Sequence, residues 1–144
     1  MTVCLPAYDQ IPNVGLYLEQ VTKFLNEYLE PLGCPLITGS MISNYVKKGL
    51  VKNPVKKQYD REHIAVLLMI AVVKTVISLE EVQKLLDAQK TLPVPQAYGE
   101  FCQTFPAAVT AVFSRPSGEL MEDTVTAVAH KLYLERLFRE GQAC

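Results

Sequence analysis

Four hydrogen-bonding side chains recur at helical spacing in the first third of the chain. Ser40, Ser43, Asn44 and Lys47 stand at positions i, i+3, i+4 and i+7, so they share one side of a helix. Hydroxyl, amide and ammonium groups can reach base edges or phosphates, and the stripe contains no carboxylate that a polyanion would repel. The pattern predicts that a helix over residues 38–48 enters the major groove of double-stranded DNA.

Lysines surround and follow this stripe. Residues 38–61 contain six basic side chains and one acidic one, a surplus of five positive charges, although the whole chain has a net charge of −1. Such a concentration can focus a positive field on one face. The predicted DNA-binding residues are Ser40, Ser43, Asn44, Lys47, Lys48, Lys52, Lys56, Lys57 and Arg61. On charge alone, a solvated helix beside a lysine-rich loop that protects a hairpin from aggregation explains these residues equally well.

Start and stop signals delimit the helices around the stripe. Thr38 suits the N-cap of the stripe helix, and Gly49 suits a left-handed residue just past its end. Asp60 is the predicted N-cap of a third helix, and Ser78 with Glu81 forms the capping box of a fourth.

The segment between the second and third helices predicts a wing over residues 51–59. Asn53-Pro54 is a turn signal, and Val51, Val55 and Tyr59 are suited to anchor two short strands around it. The lysines of this ribbon would then contact the phosphates of the DNA backbone. The expected fold class is therefore all-α with a short two-stranded wing.

Apolar patterning predicts the core and the division of the chain. The run from Ile64 to Val73 is apolar nearly all round, so the third helix is the expected central core element. The segment TLPVP at 91–95 is the clearest linker. It divides a DNA-binding domain with an N-terminal helix, residues 1–90, from a helical extension, residues 91–144.

The extension ends in a helix predicted over about 118–140. Met121, Val125, Val128 and Leu132 form an apolar stripe along it, with 4-3-4 spacing. Because one recognition helix buries too little area for tight specific binding, we expect two copies on a two-fold DNA site. These four residues are the predicted dimerisation residues of a homodimer.

Several short motifs follow one another between residues 37 and 89. They are ISNY at 42–45, KKGL at 47–50, a basic segment closed by Tyr59, DREHI at 60–64 and ISLEEV at 77–82. This ordered set resembles the winged helix-turn-helix of MerR-type bacterial transcription regulators, and the whole chain is similar to a group of small bacterial proteins of unknown function that share this core. The resemblance implies a MerR-like winged helix-turn-helix, a helical C-terminal extension and transcription regulation through DNA binding.

Signals for catalysis are weak. The sequence lacks a Gly-rich phosphate loop, a G-x-S-x-G motif and an H-E-x-x-H motif. His63, in the first turn of a helix, is expected at the surface, and His130 is expected to be structural. We therefore expect neither an enzyme nor a cofactor.

Metal, disulfide and membrane signals are weak too. Cys4, Cys34, Cys102 and Cys144 are scattered, so free thiols are favoured over a zinc site or a disulfide framework. The longest apolar run covers residues 64–73, where a bilayer span needs about 20 residues. The expected compartment is the cytoplasm.

Two other functions fit parts of the pattern. The chain could be a protein-interaction module that keeps a winged-helix shape without binding DNA. It could also sense an unknown small-molecule effector in a cavity lined by Tyr98, Phe101, Phe105 and Phe113. Aromatic residues at helical spacing are, however, more typical of a core.

Overall fold

The fold is all-α, as the sequence predicted. The computed structural model describes residues 2–115 and 118–141. Within these ranges a short 3₁₀ turn (Tyr8–Gln10) precedes six α-helices: α1 (Leu18–Leu32), α2 (Gly39–Lys47), α3 (Arg61–Val73), α4 (Leu79–Ala88), α5 (Val94–Phe113) and α6 (Leu120–Arg139). No helix in the described ranges combines the length and the apolar character that crossing a bilayer requires.

Helix α3 is the centre of the core, as its apolar sequence predicted. Its buried residues are His63, Ile64, Ala65, Leu67, Leu68, Ile70, Ala71 and Val72. Helices α1 and α5 both pack against α3, and α2 packs against α1. The N-terminal segment closes the core, because Ile11 is fully buried and the Tyr98 hydroxyl of α5 donates to the Pro6 carbonyl at 2.7 Å.

The predicted N-caps of three helices are confirmed. The side chains of Thr38, Asp60 and Ser78 each accept the backbone N–H three residues further on, at 3.2, 3.0 and 3.1 Å. Each bond satisfies a donor that the first helical turn would otherwise leave free. Gly49 follows α2 with a φ of 79°, so the predicted left-handed end is confirmed as well.

The side-chain amide of Asn26 holds the segment that connects α1 to α2. Asn26 on α1 accepts the Ile37 N–H at 2.8 Å and donates to the Ile37 carbonyl at 2.9 Å. At the start of α2 a Cβ on Gly39 would lie 3.2 Å from Leu18 Cδ2, so the two helices begin in close contact. The orientation of α2 is therefore set by α1.

The prediction of a two-stranded wing over residues 51–59 is wrong. Between α2 and α3, the structure contains no strand but a two-residue turn centred on Lys56 and Lys57, with φ of 52° and 64°. Two positive φ values are typical of a type I′ hairpin turn. A single bridge closes it, in which Val55 and Gln58 exchange backbone hydrogen bonds at 3.1 and 2.9 Å.

A histidine explains why the pairing stops after one rung. In an antiparallel ladder the next hydrogen-bonded rung beyond Val55 and Gln58 would join Asn53 to Asp60. The His63 ring occupies this place: Nδ1 accepts the Asp60 N–H at 2.9 Å, and Nε2 lies 3.1 Å from the Asn53 carbonyl oxygen. The backbone groups that a second rung needs are thus already bonded.

The other edge of the returning chain pairs with the N-terminal segment. The Tyr59 N–H donates to the Leu16 carbonyl at 2.7 Å, and the Leu16 N–H donates to the Tyr59 carbonyl at 2.9 Å. The lysine-bearing turn is therefore held by Leu16 and His63 instead of by a second strand.

The last two helices form the tail of the molecule. Helix α5 continues through Pro106 to Phe113, where the sequence left a kink or a new start open. The C-terminal part of α6 packs toward α4, with Phe138 buried and Lys131 Nζ donating to the Val76 carbonyl at 2.7 Å. The N-terminal part of α6 is exposed.

Candidate nucleic-acid interface

Helix α2 presents its polar stripe to solvent. Ser40, Ser43, Asn44 and Lys47 are all exposed, as is Lys48 directly after the helix. The opposite side of α2 carries Ile42 and Tyr45, which are buried in the core. An amphipathic helix thus offers hydroxyls, an amide and a cation on a face without a carboxylate.

A lysine outside the predicted set anchors α2 to α3. Lys74, at the C-terminal end of α3, donates from Nζ to the Tyr45 hydroxyl at 2.9 Å, and Nζ lies 5.6 Å from the centre of the Tyr45 ring. Its contact spans 29 residues, which is why helix periodicity alone does not reveal it. Lys74 adds a positive charge beside α2.

The lysine turn lies near the N-terminal end of α2. Lys57 lines a shallow cavity of about 470 Å³ together with Leu18 at the start of α1. Because a Cβ on Gly39, the first residue of α2, would also lie 3.2 Å from Leu18, the turn and the start of α2 are both near the start of α1. Both Lys56 and Lys57 are exposed.

Lys48 lies at the opposite end of α2. It lines a second shallow cavity of about 330 Å³ with Leu79 and Glu80, at the beginning of α4. Among the described residues, no carboxylate forms a salt bridge with Lys47, Lys48, Lys56 or Lys57. Exposed lysines without ion pairs therefore border α2 at both ends.

The other two predicted cations are engaged within the protein. Lys52 Nζ lies 3.2 Å from Glu62 and 3.4 Å from Asp60. Burial lowers the pKa of Lys52 and the two carboxylates raise it, leaving it above its ordinary value.

Arg61 holds the N-terminal segment. Its Nε donates to the Ile11 carbonyl at 2.8 Å, its Nη2 donates to the Asp9 carbonyl at 3.1 Å, and the guanidinium lies 5.5 Å from the centre of the Tyr8 ring. The half-buried guanidinium thus holds residues 8–11 against the start of α3, a contact across 50 positions that no local sequence pattern predicts.

The expectation that His63 lies at the surface is wrong. Its side chain is 1% exposed, and its ring stands edge-on to Tyr59, with centroids 5.4 Å apart. Nδ1 also lies 2.8 Å from Oδ1 of Asp60. Burial acts to raise the pKa of Asp60, but the hydrogen bond from the His63 backbone N–H and the positive charge of Lys52 bring it below the ordinary value.

The predicted dimerisation residues lie together on the exposed part of α6. Met121, Val125, Val128 and Leu132 are 74%, 56%, 52% and 60% exposed. Single exposed apolar residues are common, but a row of four along one helix is a continuous apolar surface.

The described residues hold no cluster of three or more His, Cys, Asp or Glu side chains that could bind a metal ion. Cys4, Cys34 and Cys102 are free thiols, and burial raises the pKa of the latter two. Cys144 lies outside the described residues.

The fold and the surface define an all-α protein with an exposed polar helix bordered by lysines. A family model described as a domain of unknown function, DUF1836, matches residues 6–101. The chain belongs to this family. The matched range reaches from the N-terminal segment into α5, so the exposed stripe of α6 lies beyond it. No match was found among curated proteins or among solved structures.

Proposed function

We propose that this protein is a DNA-binding transcription regulator of the bacterial cytoplasm that acts as a homodimer. The observation that carries the proposal is the solvent-exposed stripe on α2, which has no carboxylate and has exposed lysines at both ends. Helix α2 would lie in the major groove. Lys47 and Lys48 at one end, and Lys56 and Lys57 near the other, would contact phosphates.

The dimensions of α2 support this placement. Nine helical residues rise about 13 Å, and the major groove of B-DNA is about 12 Å wide. Cations at the two ends can therefore meet phosphates on either side of the groove while Ser43 and Asn44 face base edges. Asn can pair with adenine in this groove, which makes Asn44 the proposed specificity residue.

The resemblance to MerR-type regulators favours the same function. The motifs that carry it fall on α2, on the turn and at the starts of α3 and α4. We leave Lys52 and Arg61 out of the proposed contacts because their charges are satisfied by Glu62, Asp60 and backbone carbonyls.

A second copy would supply the second half of the DNA site. The four apolar residues on α6 are the surface we propose for this contact, since they are exposed and lie in one row. Helix α6 packs on α4 whereas α2 packs on α1, so we expect pairing through the α6 stripe to leave α2 free for DNA.

Selection from a random pool of duplex DNA tests the proposal without knowledge of the target site. Full-length protein should enrich a defined, two-fold symmetric sequence over successive rounds. The double variant Ser43→Ala/Asn44→Ala should lose the preference at the positions those side chains read, at a cost of about 1–3 kcal/mol per lost base contact.

A matched control is Lys84→Ala/Lys90→Ala on and after α4, outside the proposed surface, which should keep the wild-type motif. Recovery of no motif by the wild type, together with retention of a protein partner by the α6 stripe, would favour the protein-interaction module instead.

A further inference from the structure

An apolar groove is lined by α4 residues other than those beside Lys48, and no residue of α2 lines it. It has a volume of about 320 Å³ and runs between α3, α4 and α5. Met69 and Val73 form its floor on α3, Leu85 and Leu86 form one wall on α4, and Phe101 forms the other on α5. All five side chains are half-buried, so apolar surface of three helices remains accessible in one concave place.

The rim of the groove carries two neutral polar groups and one charged group. Gln89 and Thr104 contribute an amide and a hydroxyl, and Glu100 is the charged residue that lines it. In the described part of the chain Glu100 has no salt-bridge partner, and no lysine, arginine or histidine lines the groove. An occupant with a positive charge would therefore meet a carboxylate without a competing cation.

We propose that this groove is a binding site for a small amphipathic amine, a molecule with a compact apolar body and a cationic end. The apolar walls would supply the affinity, and Glu100 would orient the ligand. The proposal concerns a site that the DNA-binding proposal does not use, and it stands or falls without DNA.

The size of the groove favours a small molecule over a helix. Its wall on α4 extends from Val82 to Gln89, a rise of about 10 Å at 1.5 Å per residue. The volume is at the lower end of the range of about 300–1,000 Å³ that is typical of ligand sites. The α6 stripe of a second copy would need contacts over all of residues 121–132, a longer span than the groove provides.

Methyl NMR of the full chain in the absence of DNA tests the proposal. The probes are 3-phenylpropylamine and 3-phenylpropan-1-ol, which have the same number of non-hydrogen atoms and differ in the cationic group. Both should shift the methyl signals of Met69, Val73, Leu85 and Leu86. The amine should bind about two- to fivefold more tightly, since the carboxylate is exposed and its ion pair is screened.

Two variants separate the apolar contribution from the charge. Glu100→Gln, on the surface, should retain binding of both probes and equalise their affinities. Ala97→Phe should fill the groove and abolish binding of both.

The proposal is overturned if the groove methyl signals do not move, if both probes bind the wild type equally, or if Glu100→Gln leaves the preference intact. Movement of those signals with protein concentration alone would show that a second copy occupies the groove, and would overturn it as well. Should Ala97→Phe fail to fold, Glu100→Gln alone still decides the role of the charge.

Discussion

At the scale of single residues, His63 joins three parts of the structure that are distant in sequence. Its ring bonds the Asn53 carbonyl, accepts the Asp60 N–H and packs edge-on against Tyr59. The sequence shows Asp60 as an N-cap because the signal is local. The sequence does not show the burial of His63, because the contact with Asn53 forms only when the turn at residues 56–57 brings the start of α3 back beside Asn53.

Replacing His63 by Ala should lower the free energy of unfolding by about 1–3 kcal/mol, since a buried ring and its two part-buried hydrogen bonds to Asp60 and Asn53 are lost. Urea denaturation followed by circular dichroism measures this. His130→Ala, at an exposed position, should change the stability by less than about 0.5 kcal/mol. Equal effects of the two substitutions would show that the His63 hydrogen bonds add nothing.

Asp60 should make the stability sensitive to acid. Its pKa is lower in the folded protein than the ordinary value of 3.8, so its stabilising effect is present above that pH. The effect is lost as the pH falls through the folded pKa. Asp60→Asn, which keeps an oxygen for the cap, should flatten the loss of stability below about pH 4 in denaturant titrations at several pH values. An unchanged acid limb would contradict this assignment.

At the scale of elements, local signals were sufficient for most helices. Thr38, Asp60 and Ser78 start helices where the sequence predicted, because a cap depends on residues three positions apart. The prediction of the wing was wrong because strand pairing is not local. Two segments pair only if their backbone groups are not already bonded to other parts of the chain. Here Leu16 bonds the backbone of Tyr59 and His63 bonds the Asp60 N–H, and neither residue is part of the turn signal at Asn53-Pro54.

Two glycines allow the effect of a positive φ on stability to be separated from the effect of side-chain contacts. A Cβ at Gly49 or at Gly99 would meet no atom within 4 Å, but Gly49 has a φ of 79° and Gly99 lies inside α5. Gly49→Ala should therefore destabilise the protein by about 1 kcal/mol, and Gly99→Ala should stabilise it by about 0.5–1 kcal/mol. Thermal unfolding of both variants measures the difference. Shifts of the same sign would contradict the role of Gly49 as the end of α2.

At the scale of the whole molecule, the sequence predicted that the polar stripe of α2 would face away from Ile42 and Tyr45, because helical periodicity separates the two sides. It could not show that Arg61 is engaged, since its partner Ile11 lies 50 positions away. Nor could it show that Lys52 is engaged, because Asp60 and Glu62 reach Lys52 only through the return of the turn. The division of the chain near residue 90 stays a prediction. The packing of α5 on α3 shows only that the extension contributes to the core of the first part.

The α6 stripe should decide the oligomeric state. Wild-type protein is expected to be a dimer by light scattering coupled to size exclusion, and Val128→Glu should convert it to a monomer, because a charge would be buried in an apolar contact. Thr126→Glu, also on α6 and outside the stripe, is the matched control and should remain dimeric. A monomeric wild type, or a dimeric Val128→Glu, would exclude this surface.

The dependence of duplex affinity on salt tests the central claim most directly. Binding of full-length protein to a duplex, followed by fluorescence anisotropy over a series of salt concentrations, should weaken steeply as salt rises. The slope should become shallower by about 1.8 in Lys56→Ala/Lys57→Ala, since each phosphate contact contributes about 0.9. Lys84→Ala/Lys90→Ala should leave the slope unchanged. No measurable duplex binding at low salt, or an identical slope in all three proteins, would contradict the proposal that α2 and its bordering lysines bind DNA.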